Sequence, residues 1–387
     1  MQSFKKAAAV IMGFLMFQVC LFFGINADAK KLTLQTRLNI QGDYYDNVTF
    51  ERENPQEDYY TSVEPSLSLN YEAEQSNLNS KIWFGLGRYA NETIEDQENQ
   101  EYSLDGVFRL SHRLRFSGAV SYRKDSTQNA QILETGEIAA IQDRNYYSGR
   151  GGLFYSFSEL TSVGINYDYL KREYGGEGSV DLYQHNISVY FNRNFNNGLD
   201  TLTFQPIYYH QTLDYGEMDY YSASIGWIHR FNERFQMHAS VGGRYEEQEI
   251  YDFEGDGDGI IANISVQRKY DRSTFELGYN RDLHREVLGG QTEVDRIFCQ
   301  LDILAFPRLG MTFYGSFYYR QEPNGSTDNS GTYFEVKPSV YFKLTEKHVL
   351  ELGYSYANSY DSALAEERTV DRNTVWLGIK LMYDKLW

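Results

Sequence analysis

The sequence predicts an all-β fold, a single transmembrane antiparallel up-and-down β-barrel of about 18 strands, with 16 as the alternative. Three observations predict it. Apolar and polar residues alternate with a period of two from Leu32 to Trp387. In Thr332–Leu344, for instance, Phe334, Val336, Pro338, Val340, Phe342 and Leu344 interleave with Tyr333, Glu335, Lys337, Ser339, Tyr341 and Lys343. Successive strand side chains point to opposite faces, so each such segment has one apolar and one polar face. An export signal precedes the alternation. After residue 29, no apolar run approaches the ~20 residues of a spanning helix. Only a closed barrel, with every backbone group paired to a neighbouring strand, then lets this chain cross a bilayer. A water-soluble sandwich also alternates, but with shorter strands.

Residues 1–29 read as the signal peptide and 30–387 as the barrel. Lys5 and Lys6 form a positive n-region, Ala7–Gly24 the apolar stretch and Ala27-Asp28-Ala29 an A-x-A cleavage site. Cys20 follows Val19, which is not the small residue that lipid attachment requires. Cleavage leaves Cys299 alone, so neither an internal disulfide nor a cysteine metal cluster is expected. The formal charge is −18, which argues against a nucleic-acid partner. Export plus a barrel predicts the outer membrane of a bacterium, with outer-membrane lipid as the first partner.

Strands are predicted in order near 32–46, 59–73, 78–91, 101–111, 113–125, 144–157, 162–174, 180–193, 200–214, 217–230, 235–249, 258–269, 272–285, 291–304, 311–323, 331–344, 348–360 and 371–386. Their connections sort into two kinds. Short ones are Glu74–Asn77, Ser111–Arg113, Ser158–Thr161, Asn194–Gly198, Asn232–Arg234, Tyr270–Ser273, Phe306–Gly310 and Thr345–His348. Longer, acidic ones are Thr49–Asp58, Glu92–Gln100, Ser126–Asp143, Tyr251–Gly257, Glu322–Ser330 and Asp361–Thr369. Short turns belong to the periplasmic end and long loops to the outside. Both chain ends then fall on the periplasmic side, as an even strand number requires. Pro65, Pro206 and Pro338 interrupt three strands, where each predicts a bulge or bend.

Charge placement sets the register, because Lys or Arg facing the bilayer midplane costs ~2–4 kcal/mol. Val375, Leu377, Ile379, Leu381, Tyr383 and Trp387 therefore face lipid, as do Leu34, Leu38, Ile40 and Tyr44. The predicted channel lining comprises Arg37, Glu64, Asp105, Arg109, Arg115, Arg123, Arg150, Asp168, Arg244, Glu276, Arg296, Asp302, Arg320, Glu335, Lys337 and Glu351. Such residues cannot fill a barrel this wide, so the lumen holds water. Its charges read either as mutually neutralising pairs or as a positive strip of Arg109, Arg115, Arg123 and Arg150 opposite carboxylates. Ser126–Asp143 carries Ala130, Ile132, Leu133, Ile138, Ala139 and Ile141, an apolar content that fits a loop folded into the lumen or a surface loop. Asp252–Gly259 alternates carboxylates and glycines as calcium loops do. An acidic loop tip without metal fits better, because Asn263 stands where a bidentate Glu is needed. Of the scattered histidines only His238 and His284 point inward, and no catalytic set assembles, so an enzyme is not expected. No cofactor is expected either.

The A-x-A signal, one uninterrupted barrel, Pro65-Ser66 and Pro338-Ser339 and the aromatic last residue together resemble the beta-barrel porin 2 family of outer-membrane barrels. The resemblance implies association with exopolysaccharide systems, periplasmic polysaccharide-export partners and recognition of Trp387, with Tyr383, by the barrel-assembly machinery. The function expected is a passive conduit exporting a neutral or cationic exopolysaccharide, with Tyr209, Tyr314 and Tyr318 stacking on sugar rings. Alternatives are a general or solute-specific diffusion porin, and a structural or adhesive barrel with a plugged lumen.

Overall fold

A computed structural model describes residues 31–91, 96–126, 142–175, 181–195, 198–250, 253–285, 291–321, 330–361 and 368–386. The signal segment and Trp387, on which sequence expectations rest, lie outside the described residues, as do positions 127–141 of the loop Ser126–Asp143. The described chain forms eighteen strands: β1 (Lys31–Tyr45), β2 (Asp58–Glu72), β3 (Ser76–Tyr89), β4 (Gln97–Arg109), β5 (Leu114–Ser126), β6 (Asp143–Ser156), β7 (Thr161–Tyr174), β8 (Leu182–Asn194), β9 (Asp200–Leu213), β10 (Gly216–Asn232), β11 (Phe235–Ile250), β12 (Phe253–Lys269), β13 (Ser273–Arg285), β14 (Gln291–Leu304), β15 (Leu309–Gln321), β16 (Ser330–Lys343), β17 (His348–Asp361) and β18 (Arg368–Leu386). Each pairs antiparallel with its neighbours in sequence, and β1 pairs with β18 from Thr33↔Leu386 to Tyr45↔Thr374, closing the cylinder. Closure removes the sheet edges that lipid could not satisfy.

The register sorts side chains as the alternation requires. Ile40, Val63, Leu86, Val120, Leu153, Ile225, Leu352 and Leu377 all lie on one face and are 36% exposed or more. A belt of uncovered aliphatic groups is the exterior of a membrane barrel. Charged residues occupy the other face and remain wet. The side chains of Arg150, Lys380, Arg123 and Lys81 are 64%, 56%, 48% and 43% exposed. Water therefore reaches the interior, and the two faces are those of a membrane-spanning barrel with a wet bore.

Two sequence expectations need correction. The prolines produce no bulge. At Pro65 the β2–β3 ladder passes from Val63↔Leu86 to Ser66↔Trp83, and at Pro338 the β16–β17 ladder from Val336↔Tyr356 to Ser339↔Gly353, with the register unchanged. The same happens at Pro206, between Ser188↔Ile207 and Phe191↔Phe204. Each ring costs the ladder a donor and is bridged by the pairs on either side. Second, the described part of Asp252–Gly259 is not a loop. From Phe253 on it belongs to β12, and the described residues contain no group of three or more metal-ligating side chains. The glycine alternation is packing. Gly257 and Gly259 face inward, where a Cβ would collide with the Glu246 carboxylate and the Arg244 guanidinium.

Candidate functional site

The eight short connections after the even-numbered strands gather at one end of the cylinder with Lys31 of β1 and Leu386 of β18, whereas the two-residue connection between β9 and β10 lies at the other. At the opposite end, residues 46–57 between β1 and β2 turn back into the bore. Val48 and Phe50 are 2% and 4% exposed. Phe50 packs among inward-facing Val294, Tyr318, Tyr333, Ala357 and Val370 of β14–β18. Its ring lies 3.8 Å from the Arg372 guanidinium, which also lies 5.3 Å from the Tyr45 ring. Backbone bonds hold the segment: Asp46 N–H donates to Asn373 O (3.2 Å) and Val48 N–H to Gln56 O (2.8 Å). Asn47 Nδ2 donates to Asp371 O at 3.1 Å, and Asn373 donates twice to the Asp46 carboxylate at 2.7 and 2.6 Å. Among the described residues the first loop thus enters the bore, which sequence reasoning missed because Val48 and Phe50 stand in an otherwise polar run.

Under this loop lies a cavity of about 270 Å³ lined by Gln41, Asp43, Tyr45, Val48, Tyr60, Ser62, Glu64, Trp83, Tyr89, Gln97, Asn99 and Arg372. Apart from Val48, all stand at inward positions of β1–β4 and β18. The Tyr60 and Tyr89 rings meet at 4.7 Å, and Tyr60 lies flat over Gly87, where a Cβ would overlap it. Asp43 is 6% exposed. Its Oδ1 accepts from Gln41 Nε2 at 2.8 Å, whereas Oδ2 is buried with no hydrogen-bond partner among the described residues. Glu64 accepts from Asn39 Nδ2 at 3.1 Å. Neither carboxylate has a salt bridge among the described residues.

All sixteen residues predicted to line the channel occupy inward positions, and most are engaged with neighbouring side chains. Arg150 pairs with Asp168, Glu335 with Lys337 at 2.8 Å and Glu351 with Lys380 at 2.6 Å. Arg320 is 3.7 Å from Asp361. Arg123 stands between Glu101 (4.0 Å) and Asp125 (3.9 Å). Arg109 sits opposite Arg115 near the short turns, and Arg115 lies 4.6 Å over the Phe154 ring. The four arginines therefore do not form one free positive strip. Arg37 donates to Gln35, and Asp105, Glu276 and Asp302 accept from Asn79, Gln267 and Gln300. The tyrosines are also occupied. Tyr209 stacks on Tyr220 at 4.3 Å and 9°. Tyr314 accepts from Arg296 at 2.8 Å. Tyr318, 1% exposed, is covered by Arg296 at 5.2 Å and by Tyr333.

A second element narrows the same end. The β12–β13 ladder stops at Ala262↔Arg281, although both strands continue. Beyond that point Arg244, on the inner face of β11, pairs with Glu293 of β14, which also binds Arg281 Nη2 at 2.6 Å and Gln321 Nε2 at 2.9 Å. Glu293 stands on the outer face of its own strand. It can meet Arg244 only where the end of the β13–β14 hairpin lies inside the end of β11–β12.

No family model matches this chain, and no curated protein matches it. Solved structures do match along nearly its whole length. A BenF-like porin from Pseudomonas fluorescens Pf-5 is 11% identical with a TM-score of 0.51, covering 90% of this chain and 99% of that one. The outer membrane protein OpdK of Pseudomonas aeruginosa is 9% identical with a TM-score of 0.51, covering 91% and 99%. OccK2 (OpdF) of the same organism, solved in complex with glucuronate, is 10% identical with a TM-score of 0.50, covering 91% and 98%. The likeness is one of fold: an 18-stranded outer-membrane barrel.

Proposed function

We propose that this chain is a diffusion channel for small solutes, narrowed and made selective at the end where residues 46–57 enter the bore. The observation that carries this reading is the seat of Phe50 among Tyr318, Tyr333 and Val370. It favours a porin over a polysaccharide conduit, because a polymer needs a clear bore while the loop and the neighbouring ends of β13 and β14 narrow the mouth. The likeness of fold to porins supports the same reading. In this mechanism the wall neither binds tightly nor reacts. Its ion pairs hold charged groups flat against the barrel, so solutes move through water and are sorted at the mouth. Reconstitution in planar lipid bilayers tests it. Stepwise ionic conductance unaffected by oligosaccharide is expected. Negligible conductance would favour a plugged adhesive barrel, and block by oligosaccharide a polymer conduit.

A further inference from the structure

We infer that the cavity between residues 46–57 and β1–β4 is a recognition site for a small organic cation, a solute bearing a primary ammonium or guanidinium group. The inference rests on the channel reading for its purpose but on the cavity for its chemistry. Elsewhere on the inner wall, Asp168, Glu335 and Glu351 form salt bridges, and Asp105, Glu276 and Asp302 accept hydrogen bonds from neutral amides. In the cavity Asp43 and Glu64 form no salt bridge among the described residues, and Asp43 stands apart because its Oδ2 is buried without a hydrogen bond. A buried carboxylate oxygen is costly unless a donor meets it. A charged N–H donor meets it best, since such hydrogen bonds are about twice as strong as neutral ones.

The remaining lining fits the same ligand. Arg372, the cavity's basic residue, is stacked by Phe50 and Tyr45, and Glu335 stands at its level across the small Ala357. Two carboxylates against one shared guanidinium leave the site negative. Tyr60, Tyr89 and Trp83 add aromatic faces, which attract cations. The volume of about 270 Å³ lies near the lower end of ligand pockets, so a small solute fits. A formal charge of −18 raises the local concentration of cations at the mouth. An anion such as glucuronate would face two carboxylates here.

The test uses the full mature barrel in planar bilayers with 1,4-diaminobutane as the probe. Glucose, glucuronate and 1,4-butanediol serve as comparisons. Concentration-dependent interruption of the current by the diamine alone is expected. In Glu64→Gln, and in Asp43→Asn combined with it, interruption should require about tenfold more diamine or worse. Heat-modifiable electrophoretic mobility reports that each variant remains a folded barrel. Equal sensitivity of folded variants, or interruption by glucose at the same concentration, would overturn the site while leaving the channel standing. Should the barrel pass no current, the channel reading falls. Calorimetric titration of the detergent-solubilised protein with the diamine then decides the site. Binding heat lost in Glu64→Gln supports it, and no heat overturns it.

Discussion

Phe50 takes a backbone φ of 56°, a left-handed conformation that is uncommon for a bulky side chain and costs on the order of 1–3 kcal/mol. Burial in an aromatic cluster and the Arg372 guanidinium on its ring offset that cost. Phe50→Ala should weaken the loop's seat by about 3–5 kcal/mol and raise single-channel conductance. Unchanged conductance would mean that the loop does not set the aperture. Inward glycines do the opposite job along the wall. Gly353, Gly164 and Gly87 lie under the rings of Trp376, Tyr190 and Tyr60, where a Cβ would overlap each ring. Rings laid flat keep the bore wide. Gly353→Val should push Trp376 into the lumen and lower conductance, which single-channel recording would reveal.

Among elements, the β13–β14 tip is the one whose place depends on charge. Removing one member of a buried pair leaves an uncompensated charge and costs about 3–5 kcal/mol. Arg244→Met should therefore release the tip, seen as faster amide hydrogen exchange in Asp282–Leu283 and Thr292–Val294 while the remaining ladders stay protected. The strands themselves were legible in the sequence. The two-residue alternation located all eighteen, and the cost of charge in lipid assigned every predicted inward residue to its face. Local pattern sufficed there because strand faces are a local property. The mouth was not legible. Phe50 meets Tyr318, Tyr333 and Val370 only after the barrel closes, and nothing near Phe50 announces those partners. The acidic run ending at Gly259 misled for a related reason: its glycines answer to Arg244 and Glu246 on the neighbouring strand.

For the molecule as a whole, the exterior belt and the wet interior are two halves of one arrangement. Charge on the belt should be costly and charge in the bore tolerated. Leu352→Arg, on the belt, is expected to destabilise the barrel by about 2–4 kcal/mol in urea titration of the bilayer-inserted protein. Ser117→Arg, on the inner face beside Gly152, is expected to change stability far less. The most direct measurement is thiol labelling with a membrane-impermeant maleimide on the bilayer-inserted protein, with Cys299, which faces outward beside Leu277, replaced by Ser. Arg150→Cys, on the wet inner face, should react readily, whereas Ile165→Cys, exposed on the belt two strands from Val120, should react only after the lipid is removed. Rapid labelling of Ile165→Cys in the bilayer with protection of Arg150→Cys would contradict the arrangement outright.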